Sequence, residues 1–401
     1  MHLFLFKFIF WFFICLIFYV YFGYPALLYL FARKSKKHGV PVFALPRISL
    51  LISAYNERSV IGRKLENSLA LQYPKELLDI IVISDCSDDG TDEVVLGFAH
   101  RGVRLVRLAQ RLGKSLGINE AVPQAHGDFL VFSDANALYQ PDALLRLISC
   151  FADPHVGYVV GNARYVEPQG QPSSAESEGL YWKLETWLKK KESDLGSVVG
   201  GDGAIYAIRR ELFTPLLPTD INDFLNPLQI IVRGYRGVYE PQAICHEEAG
   251  DSFEKEFRRK VRIVSRSLNA IFRAPAVLLP WNQPRHWFAL VSHKLLRWFV
   301  PVFLILSLFA ALCLWSSPFY RMAFLLQLAF YALAVAGWAL EKRGSAPKVL
   351  YLPYYFCLVN LASLVGIFKL SSGSLSSTWQ TVRHDPTPPQ DPTASFAKRG
   401  S

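Results

Sequence analysis

Residues 2–31, HLFLFKFIFWFFICLIFYVYFGYPALLYLF, form an almost unbroken apolar run. The run exceeds the roughly 20 apolar residues that cross a bilayer as a helix. It is too long for the core of a signal peptide, and no small-residue cleavage site follows, so it predicts a membrane anchor. From about 45 to 270 the texture changes: short apolar runs (RISLLISAY, DIIVISD, RLVRL, DFLVFSD) alternate with mixed stretches such as 57–71 and 114–125. Strands and helices alternating at this spacing predict an α/β domain, a mainly parallel sheet with helices on both faces. Apolar texture returns at 287–315, 321–340 and 349–370. The first two segments predict a membrane hairpin around SSPFYR. The third contains Pro353, Asn360 and Lys369, which leaves spanning, re-entry and an interfacial position open, with a cytoplasmic tail favoured. The tail at 384–401 is polar and Pro-rich and is expected to be disordered.

These boundaries divide the chain into an anchor (1–37), an α/β domain (45–270), interfacial and membrane helices (275–383) and the tail (384–401). Directly after the anchor, ARKSKKHG carries Arg33, Lys34, Lys36 and Lys37. Positive charge stays cytoplasmic, which puts the N-terminus outside and the α/β domain on the cytoplasmic side of an inner or plasma membrane. The six cysteines are scattered without paired spacing, against both a zinc knuckle and a disulfide framework. A net charge of +10 suits anionic lipid headgroups or a phosphorylated substrate. No basic stripe interleaved with aromatics appears, so nucleic acid is not an expected partner.

The candidate chemistry lies where strands end. Ser53, Tyr55, Ser84, Asp85, Ser133 and Asp134 all follow apolar runs. Open α/β sheets bind ligands beyond the carboxyl ends of their strands, so these residues should share a crevice. In DCSDDGTDE (85–93), Asp88 to Thr91 read as an Asx-turn and helix cap, while Asp85 suits the donors of a nucleobase or ribose. RLGKSLGINEAV (111–122) is a Gly–Lys turn entering a helix. It lacks the glycine spacing of a Walker loop, yet Lys114 could meet a phosphate or base oxygen. In VFSDAN (131–136), Asp134 and Asn136 offer two oxygen ligands. Two are too few for a metal cage but suit Mg2+ or Mn2+ that completes its shell from a diphosphate and water.

In order, SAYNE (53–57), SDCSDDGT (84–91), GKSLGINEA (113–121), DFLVFSDAN (128–136), GGDGAIYAIRR (200–210), NDFLNPLQIIVRGYRGVYEP (222–241) and EFRRKVRI (256–263) resemble the family 2 glycosyltransferases, specifically their membrane-embedded, polysaccharide-synthase-like members. The resemblance implies a GT-A fold and an inverting transfer from a nucleotide-diphospho-sugar, UDP-linked, to a glycan or lipid-linked acceptor. It implies that Tyr55 and Glu57 flank the uracil, that Asp85 binds the uridine, and that Lys114 and Asp134 serve the donor nucleotide. Asp134 and Asn136 match the metal-binding Asp-x-Asp, with a neutral Asn in second place. Asp223 matches the general base, with Asp220 its nearest rival and Pro218 suggesting a loop role for that rival. Gly201, Asp202 and Gly203 fall where relatives line the acceptor.

Arg259, Lys260 and Arg262 stand at the diphosphate-binding Gln-x-x-Arg-Trp stretch of processive synthases, but Ile263 replaces the sugar-stacking Trp. That departure favours short or single-addition products over a long secreted polymer, unless another ring substitutes. Arg258 and Arg266 carry the alternative of a plain membrane-surface helix. STWQTVR adds Trp379 and Arg383 as secondary candidates near the nucleotide. Rival readings are a processive synthase, a catalytically silent nucleotide-binding subunit of an export complex, and a nucleotidyltransferase. The last lacks its Gly-rich first loop, since 53–60 reads SAYNERSV.

Overall fold

The computed structural model describes residues 2–32, 44–166, 175–248, 253–343, 347–373 and 375. The basic cluster Arg33, Lys34, Lys36 and Lys37, the candidates Trp379 and Arg383, and the tail at 384–401 lie outside the described residues.

Strand β1 (Ile48–Ala54) is buried along its whole length, which is why its apolar run does not alternate. It pairs in parallel with β2 (Leu78–Ser84) on one side and β4 (Phe129–Asp134) on the other. Strand β3 (Val103–Arg107) extends the β2 side in parallel. Four more strands, β5 (Leu138–Tyr139), β6 (Val156–Val166), β7 (Tyr206–Arg209) and β8 (Arg236–Glu248), complete an eight-stranded sheet of order β3-β2-β1-β4-β7-β6-β8-β5. β7 runs antiparallel to β4 and β6, β5 runs antiparallel to β8, and β6 and β8 are parallel. The sheet is therefore mixed and mainly parallel, as the alternation predicts. Chain order reverses across β1, and Ser53 stands opposite Asp134 at the strand ends that open there.

Side chains alternate along the central strands between two cores. Leu51, Ile81, Ile83, Leu130 and Phe132 point to one, and Leu50, Ile52, Ile80, Val82 and Val131 to the other. The first core runs on without a break into Val264, Leu268 and Ile271 of helix Phe253–Arg273 and then into Leu290 and Trp298. The sheet and the start of the span Pro284–Cys313 thus share one core.

Among the described residues, four helices are long and apolar enough to cross a membrane: His2–Phe31, Pro284–Cys313, Pro318–Glu341 and Val349–Ser371. The third C-terminal segment, read as ambiguous, forms one continuous helix, Lys348–Ser371, with Pro353 inside it. Its Gly366 lies against Val264, so it packs on helix Phe253–Arg273. That helix bears on the alternative of a membrane-surface helix. Arg258 is exposed as a membrane-surface residue would be, but Arg266 is buried at 7% exposure and faces the protein interior.

Candidate active site

The site forms beyond the carboxyl ends of β1, β2 and β4. At the end of β2, Asp85 is buried and accepts N–H bonds from Leu112 at 2.7 Å and Gly113 at 2.9 Å. Burial raises its pKa, against those two N–H groups and the nearby Arg111 charge. The Arg111 guanidinium lies 3.8 Å from the centre of the Tyr55 ring, a cation–π contact at the β1 end. Glu57 stands at the start of helix Arg58–Leu69, and its N–H donates to Thr91 Oγ1 at 2.9 Å. Asp89 accepts from the backbone of Thr91 at 2.9 Å and of Arg58 at 3.0 Å, the expected Asx-turn.

The centre of the cleft is marked by Gly203. A methyl placed there would lie 3.3 Å from Asp223 Oδ2, 3.6 Å from Asp134 Oδ2 and 3.6 Å from Lys114 Nζ. Four separate stretches of chain therefore converge on one point. Lys114, at the start of helix Lys114–Ala121, donates to Asp134 Oδ1 at 2.5 Å. Asn136 follows in the turn after β4, half-buried. Asp223 opens helix Asn222–Val232, and its main-chain carbonyl accepts from Gly201 N–H at 2.5 Å. Gly200 has φ +75°, a left-handed turn that a side chain would strain. Asp202 pairs with Lys189 at 2.9 Å.

Burial raises the pKa of Asp223, as do the Asp202 and Asp134 charges, while Lys114 and Arg262 pull it down. Its Oδ1 is buried without a hydrogen-bond partner. A carboxylate made more basic and left with a bare oxygen can take a proton. Asp220 also has a buried oxygen without a partner, but its other oxygen accepts from Leu217 N–H at 2.6 Å, lies 3.7 Å from Arg273 and shapes a loop. Arg262 is exposed at its side-chain surface, while desolvation and the Arg259 charge lower its pKa and Asp134 and Asp223 oppose them. Arg259 and Lys260 both reach Glu256, at 2.6 and 3.4 Å, and Arg259 also donates to Tyr165 Oη at 3.2 Å.

Several site residues have no signal in the linear pattern. Arg111 sits inside the Gly–Lys stretch and could have been weighed with Lys114. Arg266, whose pKa burial and Arg262 lower to about 10, senses Asp223 and Asp220 from the helix behind. Glu247, near the end of β8, is pushed up to about 8 by burial and by the Asp134 and Asp202 charges. Lys64 is wholly buried, donates to Ala137 O at 2.5 Å and lies 3.9 Å from the Tyr139 ring centre. It props the turn that carries Asn136. Trp182 lies 4.7 Å from Tyr165, ring centre to ring centre, and 5.9 Å from Arg259.

For a divalent ion, Asp134 and Asn136 are two hard oxygen donors, and Asp134 Oδ2 lies beside Gly203. Among the described residues no group of three His, Cys, Asp or Glu could hold a metal. The residues fit an ion shared with a diphosphate substrate.

Comparison with known proteins follows the same outline. The chain resembles poly-beta-1,6-N-acetyl-D-glucosamine synthase of Staphylococcus aureus (strain COL), at 29% identity over 237 residues, 57% of this chain and 56% of the relative. It also resembles a probable glycosyltransferase, YdaM, of Bacillus subtilis (strain 168), at 26% identity over 253 residues, 58% of each chain. The chain thus spans a little over half the length of the curated relatives it matches. In fold it is similar to a mannosyltransferase, PcManGT, of Pyrobaculum calidifontis, solved with GDP-Man and Mn2+. That likeness has a TM-score of 0.67 at 22% identity and covers 90% of this chain and 97% of the other. It bears out the GT-A fold with apolar helices at both ends. Residues 49–216 match the family described as Glycosyl transferase family 2, the stretch that carries Asp85, Lys114, Asp134 and Gly203.

Proposed function

We propose that the protein is a membrane-bound inverting glycosyltransferase. It moves a sugar from a UDP-linked donor to a glycan or lipid-linked acceptor in polysaccharide or glycoconjugate synthesis, with its catalytic domain on the cytoplasmic side. The observation that carries this is the convergence of Asp223, Asp134 and Lys114 on one point at Gly203.

In this reading Tyr55, Glu57 and Asp85 hold the nucleotide. Asp134 and Asn136 hold Mg2+ or Mn2+, which when bound offsets negative charge on the diphosphate. Lys114, Arg262 and the neighbouring Arg259 and Lys260 present positive charge to the same group. The acceptor lies along Gly201, Asp202 and Gly203. Asp223 takes the proton from its hydroxyl, the oxygen bonds to the anomeric carbon, and the sugar–phosphate bond breaks with its electron pair leaving on UDP. Fixed cations around the leaving diphosphate stabilise that charge without reorganising. Trp379 and Arg383 are secondary candidates for the nucleotide.

A processive synthase is the second reading. The Tyr165–Trp182 pair beside Arg259 is the aromatic surface it would use in place of Ile263. The test is a donor panel with the purified full chain in lipid nanodiscs, Mn2+ and UDP- or GDP-linked sugars, followed by release of nucleoside diphosphate and sizing of products. The expected result is UDP release from one UDP-sugar. No nucleotide release from any donor would end the proposal.

A further inference from the structure

Behind the acceptor wall lies a buried polar node that the chemistry above does not use. Glu192, on helix Ala175–Leu195, has no exposed surface. Its Oε1 accepts from Tyr24 Oη at 2.8 Å and faces His293 Nδ1 at 2.5 Å. Its Oε2 accepts from the Val199 N–H at 3.2 Å. One carboxylate therefore touches three places: the N-terminal membrane helix, the span Pro284–Cys313 and the chain that leads into Gly201–Gly203. Seven residues before it, two turns along the same helical face, Glu185 pairs with His293 at 3.2 Å, Lys294 at 3.3 Å and Arg297 at 2.5 Å. Lys294, the His293 imidazole and Arg297 together outweigh burial and hold the Glu185 carboxyl well below its usual range. Between the two glutamates, Lys189 reaches forward to Asp202.

Both membrane helices depart from α geometry where they meet this node. Tyr19–Gly23 and Leu290–Leu295 are π-helical, and Tyr19 Oη and Ser292 Oγ are 2.8 Å apart. The second π segment carries His293 itself. Such segments are costly departures that recur at functional places. Buried ionic groups are likewise a poor route to stability, because apolar side chains of the same size often do as well. A carboxylate kept here is explained by what it holds.

We infer that Glu192 is a positioning residue for sugar transfer, tying the acceptor-side loop Val199–Gly203 to the seam between the two membrane helices. The proposal rests on the reading of Gly201–Gly203 as the acceptor wall. With the tie in place, the loop holds Gly203 against Asp223 Oδ2. Without it, Val199 loses its partner and the loop drifts, while the nucleotide end of the cleft, on β1 and β2, is untouched.

The test uses the full chain in nanodiscs and the variants Glu192→Ala, Glu192→Gln and Tyr24→Phe. Calorimetry with Mn2+ and UDP reports the nucleotide end, transfer kinetics the acceptor end, and amide hydrogen exchange across 196–205 the loop itself. Glu192→Ala should lower kcat at least tenfold, leave the Mn2+–UDP affinity and donor KM within twofold, and speed exchange at 199–203. Glu192→Gln, whose amide oxygen still accepts from Val199, should recover most of both losses, and Tyr24→Phe should cost under threefold. Unchanged exchange in Glu192→Ala, a parallel loss of UDP binding, or a Gln variant as impaired as the Ala variant would overturn the assignment. Exchange is read without any sugar donor, so wild-type protein that binds UDP but transfers nothing would sink the proposed function and leave this result standing on its own. Should the Ala variant not insert, Glu192→Gln and Tyr24→Phe still give exchange and kinetic answers.

Discussion

At the residue scale the site turns on carboxylates held in unlike surroundings. Asp134 is paired directly with Lys114, whereas Asp223 keeps a buried oxygen without a partner and is made more basic by burial. On the proposed reading Asp223 is the base and must be ionised to work, so transfer should be present above its raised pKa and be lost as pH falls through it. The acid limb of kcat/KM should therefore stand higher than an ordinary aspartate would give, and a pH–rate profile measures it. Asp223→Asn should keep Mn2+–UDP binding and lose transfer by about 10²–10⁴-fold, the usual worth of a positioned base. The same raised pKa makes the ionised form a burden on the fold: stability falls as pH rises from the ordinary to the raised value. The Asn variant should thus melt no lower than wild type at neutral pH. Near-normal turnover in that variant would move the base elsewhere, to Asp202 first. Asp134→Ala should abolish transfer in a folded, inserted protein, and wild-type turnover should stop in EDTA. Full turnover in EDTA would remove the metal role.

At the element scale the informative pair is helix Phe253–Arg273 against helix Lys348–Ser371. The first brings Arg262 and Arg266 toward Asp223, and the second braces it from behind through Gly366. A side chain at Gly366 would start 2.9 Å from Val264 Cβ and 3.1 Å from Val261 O, so nothing larger fits. Gly366→Leu should cost about 1–3 kcal/mol by overpacking and displace the Arg262 end of the cleft. Thermal melting in nanodiscs and transfer rates should fall together. An unaltered Tm would mean that the two helices slide freely. This contact was not visible in the chain. A glycine in an apolar run marks close approach, but the partner lies about a hundred residues upstream, beyond the reach of local pattern.

At the scale of the whole molecule, the sheet and the apolar helices share a core from Leu51 to Trp298, so the candidate cleft is fixed to those helices by packing rather than by a linker. Cysteine labelling in sealed vesicles should find the α/β domain reactive from the cytoplasmic side only. Product size belongs at this scale as well. With Ile263 in place of a stacking Trp, short glycans are the expected products, and a high-molecular-weight polymer from the purified enzyme would show that another ring, Trp182 first, has taken over that task.

By itself the sequence determined what depends on local order: a spanning apolar run, the strands RISLLISAY, DIIVISD, RLVRL and DFLVFSD, the Asp89 turn, and polar residues gathered at strand ends. These follow from side-chain periodicity and turn chemistry, which act over a few residues. Convergence is another matter. That Asp223 meets Asp134 beside Gly203, that Arg266 turns inward rather than to the membrane surface, and that Glu247 and Glu192 are buried carboxyls beside residues distant in sequence was decided only by the packed fold. Burial and neighbouring charge are properties of three-dimensional surroundings, and they set the basicity of a carboxylate as much as its chemical type does.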